Sequence, residues 1–170
     1  MKQKAALLFL AVVLLIPAFG FAQKNAGQLI RDFTGLKGTW KGSLTYLDYQ
    51  SGNPYTMPAD LEIRRIGKTD DFNFIHIYPD EKSANSTEVV SISKDDKTIR
   101  IGKMVSREKL ADGNIQIITE NKDKDGKEGK EATIRQTYTL GKSSFSIRKD
   151  VLFTGDSQWI KRHKYTYMRK

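Results

Sequence analysis

The stretch GTWKGSLTYL, residues 38–47, decides the fold. Trp40, Leu44 and Tyr46 fall on one parity along it, while threonine, lysine and serine side chains occupy the other. Successive side chains of a β-strand point to opposite faces, so this alternation predicts a strand with one buried face. The chain is therefore expected to begin a sheet here.

The same pattern recurs along the rest of the chain. Clusters of glycine, proline, asparagine and aspartate separate the repeats, and these residues are typical of tight turns. The connections are short, and none contains a helical repeat. We count nine predicted strands, with their apolar positions at residues 40–46, 55–63, 72–78, 90–92, 99–105, 115–117, 134–140, 145–151 and 159–169.

Sequential hairpins with this spacing predict an antiparallel meander. A meander of nine strands leaves two long edges open, and closure into a barrel removes them. The expected fold is therefore all-β, an antiparallel up-and-down β-barrel of about eight to ten strands. A β-sandwich is the alternative, although it usually needs longer crossing connections. Leu29, Ile30 and Phe33 share one helical face and predict a short N-terminal helix from Asn25 to Phe33.

The first 22 residues have the pattern of a cleaved secretory signal peptide. Lys2 and Lys4 precede the apolar run Ala5–Ile16, and small residues at Gly20 and Ala22 predict cleavage after Ala22. A membrane anchor is the alternative, but a helix of 12 residues spans about 18 Å of a hydrocarbon core of roughly 30 Å. We therefore expect an exported protein, periplasmic or extracellular, with no stable membrane insertion.

The predicted cleavage after Ala22 and the start of the strand pattern at Gly38 divide the 170-residue chain into three parts. Residues 1–22 form the signal peptide, residues 23–37 form an N-terminal segment with the short helix, and residues 38–170 form the barrel domain. The chain contains no cysteine, which excludes disulfides, thiolate metal sites and a lipidated cysteine. The fold is therefore expected to depend on its sheet and its core for stability.

The chain is basic, with 29 lysines and arginines against 20 acidic residues. These basic residues are scattered, and they neither cluster on a helix nor alternate with aromatic residues as a nucleic-acid platform requires. We expect no nucleic-acid partner. The oligomeric state does not follow from these observations.

The motif Gly38-Thr39-Trp40, placed directly after a short helix, resembles the start of the calycin barrels. This superfamily includes lipocalins, fatty-acid-binding proteins and nitrobindin-like haem barrels. The resemblance implies that a basic residue of the last strand, Arg169 or Arg162, packs over Trp40, and that Gly38, Trp40 and Arg169 are structural. The missing cysteines distinguish the chain from secreted lipocalins, so the subfamily stays open.

Several polar residues share the parity of the apolar residues on their strands and are predicted to point inward. They are Arg65, His76, Lys103, Gln136 and Lys149, together with Lys161, His163 and Tyr165 of the last strand. A buried cation without a partner costs several kcal/mol, so these groups must reach water or meet an anion. The alternative is that β-bulges reverse the parity and the lysines extend to solvent.

The functional expectation is an exported binding protein that holds an amphipathic or aromatic, anionic ligand in its interior. Lys149, Lys161, His163 and Tyr165 are predicted to hold the acidic head, as basic and tyrosine groups do in the fatty-acid-binding proteins that the chain resembles. Aromatic and aliphatic side chains would surround the apolar body of the ligand. The full predicted ligand set is Trp40, Tyr46, Phe74, His76, Tyr138, Lys149, Lys161, His163 and Tyr165.

Two other functions stay open. The ending of the chain also resembles nitrobindin-type barrels, which implies haem ligation by His163, and haem is the one cofactor considered. A filled barrel with a structural or interaction role at the cell envelope is the third possibility.

No enzyme is expected, because no catalytic motif is complete. The segment from Asn121 to Gly126 matches the first half of a calcium loop, but position 12 is Ala132 instead of glutamate. We therefore interpret the polar stretch from Asn121 to Glu131 as a solvated hairpin tip. Gly141-Lys142-Ser143 lacks the earlier glycine of a phosphate-binding loop.

Overall fold

The computed structural model describes residues 27–48 and 52–170. The predicted signal peptide, residues 1–22, lies outside the described residues, as does the start of the N-terminal segment. Within the described part, the helix α1 covers Gln28–Thr34, and Asn25, where the predicted helix begins, lies outside the described residues. The predicted short N-terminal helix is therefore present, and its described bounds lie slightly later in the chain.

Eleven strands and one short 3₁₀ turn, Lys82–Ala84, follow α1 in the described residues. The strands are β1 Gly38–Leu47, β2 Pro54–Pro58, β3 Asp60–Arg65, β4 Asp71–Ile77, β5 Ser86–Ser91, β6 Thr98–Ile99, β7 Gly102–Lys109, β8 Ile115–Asp125, β9 Lys130–Leu140, β10 Ser144–Phe153 and β11 Ile160–Arg169.

These strands form one antiparallel sheet in the order β5-β4-β3-β1-β11-β10-β9-β8-β7-β6, with β2 beside β1. The two ends of this order meet through a single bridge between Ile92 and Ile99. The prediction of an all-β antiparallel barrel with a short N-terminal helix is confirmed, and the barrel is nearly closed. The described residues contain eleven strands, ten in the continuous order and β2 beside β1, because two of the nine predicted strands are each divided.

The first divided strand bends at Ala59, between β2 and β3. The Ala59 amide donates to the carbonyl of Gly42 on β1 at 3.0 Å. A Cβ atom on Gly42 would overlap the ring of Tyr167 and lie 2.5 Å from the carbonyl oxygen of Thr166. Glycine is therefore needed at this point, where three strand backbones approach each other closely.

Helix α1 closes one end of the barrel, which we call the closed end. Leu29 and Phe33 are fully buried on the helix face that points into the barrel. The Phe33 ring lies 6.1 Å from the Phe72 ring and 5.7 Å from the Tyr138 ring, measured between centroids. Burying two such large side chains stabilises the fold by about 1.5 to 3 kcal/mol each. The interior of this end is consequently filled by the protein's own aromatic side chains.

The predicted packing of a basic residue of the last strand over Trp40 is present at the closed end. The guanidinium carbon of Arg169 lies 4.3 Å from the centroid of the Trp40 ring. Arg162 instead lies over Phe153, at 5.4 Å. Gly38 has φ 123°, a backbone conformation that side chains with a Cβ rarely adopt, and a Cβ there would lie 3.3 Å from the Arg169 guanidinium.

The prediction of a continuous strand from Ile99 to Val105 is wrong. A turn at Arg100 and Ile101 separates β6 from β7, and Arg100 has φ 56°. This turn reverses the parity, so that Ile101 and Val105 are 68% and 58% exposed. Lys103, predicted to point inward, is exposed as well. Gly102 and Met104 face the interior in their place, because the turn moves the residues that follow it to the other face of the strand, and a bulge between Met104 and Ser106 ends this shift.

Candidate functional site

A cavity of about 390 Å³ occupies the half of the barrel that lies away from α1. Its wall combines aliphatic and aromatic side chains with several charged ones. The lining residues are Phe74, His76, Tyr78, Ser86, Glu88, Val90, Ile99, Arg100, Ile101, Gly102, Thr119, Asn121, Asp123, Lys124, Ile134, Gln136, Tyr138, Ile147, Lys149, His163 and Tyr165. The barrel is therefore filled at one end and hollow at the other.

Six of the nine residues predicted to bind a ligand line this cavity, namely Phe74, His76, Tyr138, Lys149, His163 and Tyr165. Strand alternation brings them together, because each stands on the inner parity of its strand. Two of the other three lie elsewhere. Trp40 is buried in the closed end, and Tyr46 packs against Tyr55 with 5.6 Å between ring centroids.

Lys161 does not line the cavity, and the prediction that it points inward is wrong. Its side chain is exposed. The pairing of β10 with β11 shifts at this point, so that Lys149 is opposite His163 whereas Asp150 is opposite Lys161. This β-bulge places one extra residue on β11 and turns Lys161 outward, while His163 keeps the inner face.

Lys149 has a partner inside the protein. Its Nζ donates to Oδ1 of Asp125 at 2.7 Å, and Nε of Arg162 donates to the other oxygen of the same carboxylate at 2.6 Å. Partial burial disfavours the charged form of Asp125, but these two cations outweigh it and hold the carboxyl pKa below its usual range. A carboxylate of the protein thus pairs with the half-buried lysine.

Asp125 belongs to the segment that we interpreted as a solvated hairpin tip, and that interpretation is wrong. Strand β8 continues to Asp125 and β9 begins at Lys130. The tip is therefore only four residues long, from Gly126 to Gly129. In the described residues, no three histidine, aspartate or glutamate side chains are grouped to hold a metal ion.

Glu88 and Arg100 are lining residues that the sequence reasoning missed. Glu88 Oε2 lies 3.7 Å from Nε2 of His76, and Glu88 Oε1 lies 2.5 Å from Nη1 of Arg100. Burial by itself raises the pKa of Glu88. His76 and Arg100 lower it by a larger amount, so the pKa of Glu88 lies below its ordinary value. Glu88 shares the parity of the buried Val90, and this alternation could have identified it. No local pattern marks Arg100.

His76 is 8% exposed, and only one of its two ring nitrogens faces a charged partner in the described residues. Nε2 faces Glu88, whereas Nδ1 is buried without a hydrogen-bond partner in the described part of the chain. The His76 ring also packs against Tyr165, with 5.5 Å between centroids. His76 therefore connects the Glu88 and Arg100 side of the cavity to the tyrosine on β11.

His163 and Tyr165 present uncharged groups to the cavity. Burial, with a further contribution from nearby Lys149, lowers the pKa of His163 to about 4, so the imidazole is neutral at pH 7. Burial also raises the pKa of Tyr165, whose hydroxyl lies 2.9 Å from the hydroxyl of Tyr78. This side of the cavity offers hydrogen-bonding groups without net charge.

The described residues contain no helix that is both long enough and apolar enough to cross a membrane. No protein-family model matches the chain, and no curated protein matches it. The chain is similar in structure to the crystal structure of Rv2717c from M. tuberculosis, with a TM-score of 0.53 and 10% sequence identity. The match covers 86% of this chain and 99% of the other. At this identity the similarity shows a shared fold and nothing beyond it.

Proposed function

We propose that the protein is an exported binding protein that holds a small amphipathic or aromatic molecule in its cavity. The observation that carries this proposal is the cavity of about 390 Å³ beside a closed end filled with aromatic rings. Ligand pockets commonly measure about 300 to 1,000 Å³ and combine apolar walls with a few polar groups. Phe74, Ile134 and Ile147 would contact the apolar body of the ligand.

An anionic head group is the narrower form of the proposal. Arg100, Lys124 and Lys149 line the cavity and would attract an anion. Lys149 and Arg100 already contact Asp125 and Glu88, so an anionic head would have to compete with these carboxylates. Tyr165 and the neutral His163 could hold either an anionic or an uncharged head through hydrogen bonds.

The proposal is tested with a fluorescent aromatic anion, 1-anilinonaphthalene-8-sulfonate, added to the folded protein. We expect its emission to rise on binding, and decanoate and decan-1-ol to displace it. Ile147→Trp, which fills the cavity, should weaken binding by at least tenfold. Ile118→Trp makes the same change at a position that does not line the cavity and should change binding less than twofold.

Equal binding by the two tryptophan variants, or no binding by the unmodified protein, would contradict the proposal. The two displacing molecules differ only in the head group. Stronger displacement by decanoate would support the proposal of an anionic head group. Equal displacement by decan-1-ol would reject an anionic head group and keep the cavity as the binding site.

Haem is a second candidate ligand, and the neutral state of His163 favours it. A neutral imidazole is a competent axial ligand, and His163 lines the cavity. Bound haem would supply redox and diatomic-gas chemistry. His163 would hold the iron, and Lys149, which is opposite His163 in the pairing of β10 with β11, would supply a positive charge on the same wall. Haemin titration should then give a Soret band that is lost in His163→Ala and kept in His76→Ala. A titration without any Soret shift would remove this candidate.

A further inference from the structure

One side of the barrel wall is incomplete beside the cavity. We call this opening the lateral gap and define it by Ser86–Val90 of β5, the turn at Arg100 and Ile101, and Asn121–Asp125 of β8. In residues 27–48 and 52–170, no strand pairs with the outer edge of either strand segment. Each segment is hydrogen-bonded to one neighbour only, β4 or β9.

The gap exists because β6 ends at Ile99 and β7 begins only at Gly102. Strand β5 meets β6 only near Ser91, whose carbonyl accepts from the Arg100 amide at 2.8 Å, and at the Ile92 and Ile99 bridge. Strand β7 begins at Gly102, so its pairing with β8 stops at Glu120. In the described residues, the two strands β6 and β7 are therefore absent from this part of the wall between β5 and β8, and in a regular sheet they would occupy a separation of roughly 14 Å at strand spacings of about 4.8 Å.

The gap leads directly into the cavity. Ser86 and Glu88 from one edge, and Asn121 and Asp123 from the other, are cavity-lining residues. The exposed members of the cavity lining surround the gap, whereas the remaining lining residues are buried or partly buried. The exposed ones are Ser86, Arg100, Ile101, Asp123 and Lys124.

Arg100 occupies the point where the gap ends. Its left-handed backbone, with φ 56°, makes the turn that stops β6. Its side chain crosses back toward β5, where Nη1 lies 2.5 Å from Glu88 Oε1. This ion pair is part of the wall and reduces the opening at its inner end.

We propose that the lateral gap is the entrance through which molecules reach the cavity, and that the Arg100 and Glu88 pair restricts passage through it. The proposal rests on the proposed function in taking the passing molecule to be the ligand. The route itself can be tested without any ligand, because the chain has no cysteine and one engineered thiol inside the cavity reports what reaches it.

The experiment places that thiol with Thr119→Cys, a buried lining position where cysteine is close to threonine in size. The reagent is 5,5′-dithiobis(2-nitrobenzoate), an aromatic anion whose reaction is followed by absorbance. Ser86→Trp adds a bulky side chain at the gap, and Ser157→Trp adds the same side chain in the β10–β11 loop, at a position that lines neither the cavity nor the gap. Both positions are exposed serines.

We expect Ser86→Trp to slow the thiol reaction by at least tenfold, and Ser157→Trp to change it less than twofold. Similar slowing by both variants, slowing by Ser157→Trp alone, or a thiol that never reacts in the folded protein would overturn the proposal. If Thr119→Cys does not fold, Ile147→Cys provides a second thiol on the same wall.

The role of Arg100 is tested in the same background. Arg100→Gly removes the side chain and keeps the left-handed turn, because glycine adopts positive φ readily. We expect this variant to speed the thiol reaction at least threefold, while Arg64→Gly, at a position that does not line the cavity, leaves the rate unchanged. An unchanged rate in Arg100→Gly would reject the restriction, and binding of the fluorescent probe would still decide the proposed function separately.

Discussion

The guanidinium carbon of Arg169 lies 4.3 Å from the centroid of the Trp40 ring, and the same side chain donates to three backbone carbonyls. These carbonyls belong to Gly35, Lys37 and Lys142. The last strand is thereby attached both to the segment after α1 and to the hairpin before β10. Arg169 is the point at which the first and last parts of the barrel are held together.

We therefore predict that Arg169→Lys lowers the free energy of unfolding by about 1 to 2 kcal/mol. Lysine keeps the charge but loses the planar fork that contacts the ring and the carbonyls together. Urea unfolding followed by tryptophan fluorescence measures the change. Arg64→Lys, at a surface pair with Glu62, is the matched control and should leave the free energy of unfolding nearly unchanged, as is typical of surface pairs. Equal effects would argue against the Arg169 contacts.

Gly42→Ala should destabilise the barrel by about 3 kcal/mol or more. The added methyl group would overlap the Tyr167 ring and press on two backbone carbonyls, those of Thr166 and Ala59. Backbone cannot move aside as a flexible side chain can, so the cost exceeds ordinary overpacking. Thermal unfolding compared with Ser43→Ala, one residue along the same strand, tests this. A melting temperature close to that of the control would show that the three strands can separate locally.

The Asp125 carboxylate should make stability depend on pH in the acid range. Its pKa is lowered in the folded protein, so its stabilisation is complete above the unfolded value of about 3.9 and is lost as pH falls through the folded pKa. In Asp125→Asn this part of the acid dependence should disappear. Asp123→Asn, at an exposed neighbour outside the ion pairs with Lys149 and Arg162, should keep it. The test compares the unfolding free energies of these two variants with those of the unmodified protein from pH 7 to pH 3.

His163 should titrate far below an ordinary histidine. Its folded pKa of about 4 lies under the unfolded value of about 6.5, so the unfolded state binds the proton first as pH falls. The folded protein should therefore lose stability from about pH 6.5 down to about pH 4, and His163→Gln should remove this loss. Carbon-detected NMR of the imidazole gives the pKa directly. A midpoint near 6.5 would mean that water reaches the ring freely.

The sequence by itself determined the barrel and much of its inner wall. Alternation is local, so Phe74, His76, Tyr138 and His163 could be assigned to the inside before any pairing was known. The choice of Arg169 over Arg162 as the residue on Trp40 needed the structure, because both stand on the last strand.

Only the tertiary structure decided what surrounds the inner charges and where the wall opens. Lys149 and Asp125 are 24 residues apart, and their contact depends on the pairing of β8, β9 and β10. The bulge that turns Lys161 outward exists only in the register between β10 and β11. The turn at Arg100 likewise follows from barrel closure at Ile92 and Ile99, since nothing in the local sequence requires an arginine to adopt a positive φ.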